Sequence, residues 1–403
     1  MKPAAQSVSA QNTRPNEATP SLALYLHIPF CRTRCTYCAF NTYTGQDKLI
    51  EPYMRALAQE IRMVGDTDRR PAHTIYFGGG TPSLVPADLI ALTLAACTET
   101  FALADPTEIT LEANPATVDL EALKALRRVG INRLSIGMQS ANASELALFA
   151  RGHTTDDVRE TVRLARRAGF DNLSLDLIYG NPGQTFEMWQ TSLDAALGLE
   201  PKHLSMYSLG IEDGTPMQRW VARGHVETPD PDLAADMYEW ATDRLAQAGF
   251  EQYEISNWAK PGYECAHNLQ YWRDLPYLGL GAGAHGYAGG LRYSTVLRPA
   301  DYIERMTTQH EPLPFPHTAA WLDSEVIDAQ GEMAEIMVTG LRLTRTGIDT
   351  QAFQSRTGRS LWDVYGAQIR QLIRDGLLEQ YGNHIRLTPR GRLLGNLVFE
   401  AFV

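Results

Sequence analysis

From Leu22 onward, short apolar runs alternate with longer amphipathic stretches. The runs LALYLHI (22–28), HTIYF (73–77), EITLEA (108–113), NRLSIGM (132–138), NLSLDLIY (172–179) and HLSMYSL (203–209) have the length and make-up of strands. Stretches 48–65, 87–101, 118–129, 155–168, 185–198 and 231–248 carry helical spacing. In LEALKALRRVG and VRETVRLARRAGF, apolar residues recur at i, i+3, i+4 and i+7 before a glycine stops the helix. Strand-then-helix units in series predict a parallel sheet with helices outside it. Six units, where a closed barrel has eight, predict an α/β partial (β/α)6 TIM-like barrel over residues 21–250, open on one side. In barrels of this kind the chemistry gathers at the C-terminal strand ends.

The pattern changes after residue 250. Residues 251–328 are aromatic- and glycine-rich and are expected to connect the barrel to a second unit. Residues 329–403 read as helices, an Asp-Gly turn and a β-ribbon, a winged-helix-like α+β order. Its modest arginine cluster falls short of the basic face a nucleic-acid reader needs, so a packing or docking role is expected. A net charge of −11 and a pI near 5.4 leave no basic field for nucleic acid or anionic lipid. No stretch approaches the roughly 20 apolar residues of a membrane span. Residues 1–20 are polar and rich in Pro, Ala and Ser, without the apolar core of a signal peptide. They are expected to be a disordered tail, and the protein is expected in the cytoplasm.

Three of the five cysteines, Cys31, Cys35 and Cys38, fall within eight residues just after the first strand. Thiolates suit iron–sulfur clusters or zinc. A [4Fe–4S] cluster takes four ligands, usually cysteines; three thiolates leave one iron open to a small molecule. Zinc would want a fourth close ligand, and His27, on a strand, is expected to point away from the loop. An odd cysteine count argues against a disulfide framework. Cys97 lies in a helical AAC run and is expected in the core, as are Met206 and Tyr207 on the sixth strand. Cys265 is open between a buried thiol and a heme or zinc ligand.

The second to fifth strands carry further chemistry at or near their C-terminal ends. Gly78, Gly79 and Gly80 with Thr81 follow the second strand, where glycines permit a close backbone approach to a ligand. Glu112 ends the third strand, Gln139 the fourth, and Arg151 follows it. Asp176 lies within the fifth. Acids inside apolar strands are costly unless partnered. A structural pairing with Arg151 would satisfy one; two acids, an amide and an arginine at one barrel face favour a polar ligand.

The strings YLHIPFC (25–31), GGGTPS, LEANP, SIGMQS, DLIYGNPGQT and YSL resemble the HemN-like branch of the radical S-adenosylmethionine (SAM) superfamily, over residues 22 to the C-terminus. The branch includes oxygen-independent coproporphyrinogen III dehydrogenases and HemW-type heme chaperones. The resemblance implies a [4Fe–4S] cluster on Cys31, Cys35 and Cys38. It implies SAM contacts from Tyr25, Gly79, Gly80, Thr81, Glu112, Gln139, Arg151 and Asp176, with Gly210 near the adenine.

Two features separate the branches. The dehydrogenase carries another cysteine two residues after the third, where this chain has Phe40, and it has a longer N-terminal arm. This chain also contains His267-Asn268-Leu269-Gln270-Tyr271-Trp272, similar to the HNxxYW motif tied to heme binding in the chaperones. Imidazole is a normal axial ligand of heme iron, and aromatic rings suit a porphyrin face. A packed aromatic corner around a satisfied histidine is the structural alternative. His285, in GAGAHGY, is a second candidate ligand. The expected function is a heme chaperone holding a cluster, SAM and heme through a surface that includes His267. It would serve acceptor hemoproteins, membrane-bound respiratory enzymes among them, working from the cytoplasm and at the membrane only through those partners, with a homodimer left open. The alternatives are radical decarboxylation of coproporphyrinogen III and a radical SAM reaction on another substrate.

Overall fold

A computed structural model describes residues 21–64, 71–309, 311 and 313–403. The tail expected at 1–20 lies outside the described residues. The six expected strands form β1 (Leu22–Ile28), β2 (Pro71–Gly79), β3 (Ala102–Ala113), β4 (Arg133–Gln139), β5 (Asn172–Tyr179) and β6 (His203–Ser208). Each pairs in parallel with the next. Helices return the chain across the outer face, as in Ile50–Val64 and Thr155–Arg167. The second begins at a capping box, Thr154 and Asp157 satisfying each other's backbone N–H groups. Leucines and isoleucines of the strands, among them Leu24, Ile75, Leu111, Leu134 and Leu175, are fully buried against these helices.

The sheet is wider than the six expected strands. Residues 251–328, expected as a connection, supply strands to both of its edges. Beyond β6 lie β7 (Glu251–Glu254) and β8 (Asn257–Ala259), and beyond β1 lie β9 (Tyr277–Leu280), β10 (His285–Ala288), β11 (Leu291–Thr295) and β12 (Trp321–Val326). The order is β12-β11-β10-β9-β1-β2-β3-β4-β5-β6-β8-β7, a 12-stranded sheet that does not close on itself. β9 is a seventh parallel strand, with Leu24 opposite Leu278 and Leu26 opposite Leu280. The expected opening of the barrel is therefore present, flanked by antiparallel hairpins.

Residues 348–387 build the winged-helix-like unit. The helices Thr350–Thr357 and Leu361–Arg374 pack on a three-stranded antiparallel sheet made of Ile348–Asp349, Leu378–Tyr381 and His384–Leu387. It has its own core, including Phe353, Leu361, Ile369, Ile385 and Leu387.

Candidate functional site: two cavities divided by one helix

A cavity of about 590 Å³ opens at the C-terminal ends of β1 to β6. Cys31, Cys35 and Cys38 lie on its lip, each partly exposed. Thr81 Oγ1 donates to Cys31 Sγ at 3.5 Å and Arg151 Nη1 to Cys35 Sγ at 3.5 Å. Among the described residues, no three His, Cys, Asp or Glu side chains converge to hold a single ion. A mononuclear zinc site needs such convergence. A cubane cluster does not, because each thiolate meets a different iron.

The glycine loop is shaped by its surroundings. Gly79 has φ +112°, and its N–H donates to Glu112 Oε2 at 3.0 Å. A Cβ on Gly80 would lie 2.6 Å from Phe30 O and 2.8 Å from Ile28 O, so any side chain would push the loop off the strand ends. Tyr76 Oη donates to the other Glu112 oxygen at 2.9 Å. Burial pushes the Glu112 carboxyl up to about 7, against the Tyr76 hydrogen bond. Asp176 is likewise raised by burial, and Ser135 Oγ donates to both its oxygens at 3.1 Å. Gln139 is a non-glycine residue at φ +63°, a conformation that costs energy and is held by its surroundings. Arg151 Nη2 donates to Gly137 O at 3.0 Å, while its buried Nε has no hydrogen-bond partner among the described residues.

Cys31, Cys35, Cys38, Gly79, Gly80, Thr81, Glu112, Gln139, Arg151, Asp176 and Gly210 thus all line one cavity. Tyr25 does not: it lines a second, adjacent cavity, and its hydroxyl bonds His27 Nδ1 at 3.0 Å. Tyr207, expected in the core, is 45% exposed and faces the first cavity, whereas Met206 and Cys97 are buried as expected. Arg133 escaped the sequence reading. It is 2% exposed on β4, lines the same cavity, and its Nε has no hydrogen-bond partner among the described residues. Its only sequence signal was a cation at the start of an apolar strand run. Cys265 is buried, its thiol raised to about 12 by burial, and donates to Glu108 Oε1 at 3.5 Å; it also lines this cavity.

The second cavity, of about 790 Å³, is walled by aromatic side chains including Tyr43, Tyr271, Trp272 and Tyr277. The helix Ala266–Trp272 separates the two: Asn268 lines the first cavity, Tyr271 and Trp272 the second. Glu108 holds the helix start, accepting from the N–H groups of Ala266 and His267 at 3.1 Å each. His267 corrects an expectation. It is 1% exposed rather than part of a surface, and it lines neither cavity. Nδ1 bonds Thr74 Oγ1 and Nε2 bonds Tyr271 Oη, both at 2.8 Å. The ring stacks on Tyr76 at 4.9 Å. The aromatic-corner alternative is the arrangement found: burial depresses His267 to about 3 and keeps it neutral.

An open parallel barrel with three cysteines, a glycine loop and buried acids at its strand ends defines a radical SAM protein. The Radical SAM superfamily model matches residues 25–196, and the HemN C-terminal domain model matches 327–394. The structure of the Escherichia coli coproporphyrinogen III oxidase HemN superposes with a TM-score of 0.82, at 24% identity, over 96% of this chain and 91% of that one. Proteins named heme chaperone HemW are closer in sequence. That of Bacillus subtilis is 36% identical over 94% of this chain and 98% of its own length. That of Lactococcus lactis is 36% identical over 97% and 98%. The chain belongs to the HemW family of the radical SAM superfamily.

Membership implies a [4Fe–4S] cluster and SAM as cofactors, and the residues present fit them. Three thiols on one lip can take three irons, Gly80 lets the glycine loop pack against the end of β1 beside them, and among the described residues the buried Arg151 Nε lacks a partner.

Proposed function

We propose that this protein is a heme chaperone: it binds heme and hands it to acceptor hemoproteins. The observation that carries the reading is the near full-length relationship to proteins named heme chaperone HemW, against a 24% likeness to the oxidase that supports the fold alone. Phe40, standing where the dehydrogenase has a further cysteine, agrees with it. Cys31, Cys35 and Cys38 would hold the cluster. Glu112, Gln139, Arg151, Asp176, the glycine loop with Thr81, and Gly210 would hold SAM. Bound there, the pair supplies a one-electron donor and a radical precursor. The protein's own part is to present two acids to SAM's cationic and hydroxyl groups, a guanidinium to its carboxylate, and Tyr25 from the neighbouring wall.

The proposal extends to acceptors and assembly. Acceptors include membrane-bound respiratory enzymes, visited by a cytoplasmic carrier; among the described residues no helix is long and apolar enough to cross a membrane. A homodimer is supported by the edge strand β12, where Leu322 and Val326 are 55% and 74% exposed.

The test is an anaerobic heme titration of cluster-reconstituted protein, followed by transfer to an apo-hemoprotein. Saturable binding and transfer, with no coproporphyrinogen turnover, is the expected result. Turnover with proportional SAM consumption would replace the chaperone by the dehydrogenase.

A further inference from the structure

Which residue would meet the heme iron can be argued from the second cavity. Its volume, about 790 Å³, suits a ligand of cofactor size. Its walls carry the rings of Tyr43, Tyr271 and Tyr277, and flat apolar area of this kind complements a porphyrin face. Phe40, at the rim, is 68% exposed among the described residues, an unusual placement for a large aromatic. Arg34, also at the rim, is exposed and has no carboxylate partner among the described residues.

Two histidines line this cavity, His27 and His285. His27 is 4% exposed and both its nitrogens are engaged, Nδ1 with the Tyr25 hydroxyl and Nε2 with Asn41 O, each at 3.0 Å. His285 opens β10 and is exposed at the cavity wall. Its ring makes no hydrogen bond among the described residues. A nitrogen lone pair free to coordinate iron is therefore available from His285, without loss of any existing bond. His267 could coordinate only by giving up the hydrogen bond at the ligating nitrogen, which would strand the hydroxyl of Thr74 or of Tyr271. Its place is to brace Tyr271, one of the walls.

We infer that heme occupies this aromatic cavity with His285 as an axial ligand of the iron, and that His267 is a positioning residue behind the wall. The inference rests on the heme-carrying reading above. The porphyrin lies against the tyrosines and the propionates point to Arg34 at the rim. The HNxxYW motif then acts through its Tyr and Trp, which line the cavity, while its His holds the Tyr in place.

Three proteins decide it: the wild type, His285→Ala and His267→Gln, each titrated with hemin anaerobically and read by the Soret band and EPR. Thermal melts of each show that it is folded. The wild type is expected to give the spectrum of a ferric heme ligated by one histidine. His285→Ala should lose that signature, weaken binding on the order of tenfold or more, and regain an imidazole-ligated spectrum on addition of free imidazole. His267→Gln should keep the signature even where affinity falls. An unchanged spectrum in His285→Ala, or a lost one in folded His267→Gln, overturns the assignment while leaving heme carriage intact. No saturable binding by the wild type overturns both readings.

Discussion

If Glu112 meets SAM as proposed, it is a side chain tuned for a ligand at the expense of the free protein. Buried beside Asp176, its carboxyl is raised to about 7, mainly by loss of water. A raised carboxyl stabilises the fold in its protonated form. That contribution is complete below the ordinary carboxylate range and is lost as the pH rises through about 7. At pH 8 the cofactor-free protein therefore holds an ionised carboxylate with too little compensation, which a cationic ligand bound there would relieve. Glu112→Gln is expected to raise the stability of the cofactor-free protein at pH 8 by up to about 3 kcal/mol and to flatten its stability between pH 5 and 8. The same substitution should weaken SAM. Urea melts across that pH range, with and without SAM, check both signs. An unaltered pH slope would mean that Glu112 does not titrate there. His267 runs the opposite way: depressed to about 3 by burial, it stabilises the fold at neutral pH and loses that contribution as the pH falls below its ordinary value.

Among the elements, the dividing helix is the least secure and depends most on a side chain from elsewhere. Ala266–Trp272 spans seven residues, and its N-cap, Cys265, makes no side-chain cap. Glu108, from β3, takes over by accepting from two of its first N–H groups, a charge-assisted cap aligned with the helix dipole. Glu108→Ala is expected to cost about 1–2 kcal/mol and to loosen both cavity walls, because Asn268 and Tyr271 ride on this helix. Faster hydrogen exchange in residues 266–272, with β1 to β6 unchanged, is the measurement that reports it. This helix also shows what could be read in the sequence. The six barrel strands were legible because each is a short apolar run followed by a helical period. Their loops were legible because catalytic-type residues follow the runs directly. β9 was not, because Tyr277–Leu280 is four residues long and dissolves into a glycine-rich string. The fate of His267 was open for a different reason. HNxxYW specifies a ligand-type residue beside aromatics, but Thr74, which satisfies Nδ1, lies 193 positions away. Arg133 was missed because only the folded sheet brings it beside Glu112 and Asp176.

Taken whole, the molecule ties its two cavities to one loop and one clamp. Residues 31–44 carry the cysteines on the lip of the first cavity and continue into the wall of the second. Arg34, Ala39, Phe40 and Thr42 line both. The clamp comes from the C-terminal unit. Arg356 meets the buried Asp274 at 2.6 Å, just past the dividing helix, and Arg342 lies over the Trp272 ring at 4.3 Å. Asp274 also accepts from Arg292 at 3.2 Å. The strands β9 to β11 and the winged-helix-like unit thereby hold the second cavity without using the cysteines. The rim residues could couple the sites mechanically, but none of the three thiols lines the second cavity. Cys35→Ser is therefore expected to abolish the cluster, seen as loss of its iron and its visible absorbance, while heme still binds at one equivalent with affinity changed by less than about tenfold. Anaerobic titration of the folded variant checks this. Heme binding that vanished together with the cluster would show that the loop cannot shape the second cavity unless iron holds it, making the two sites one cooperative unit.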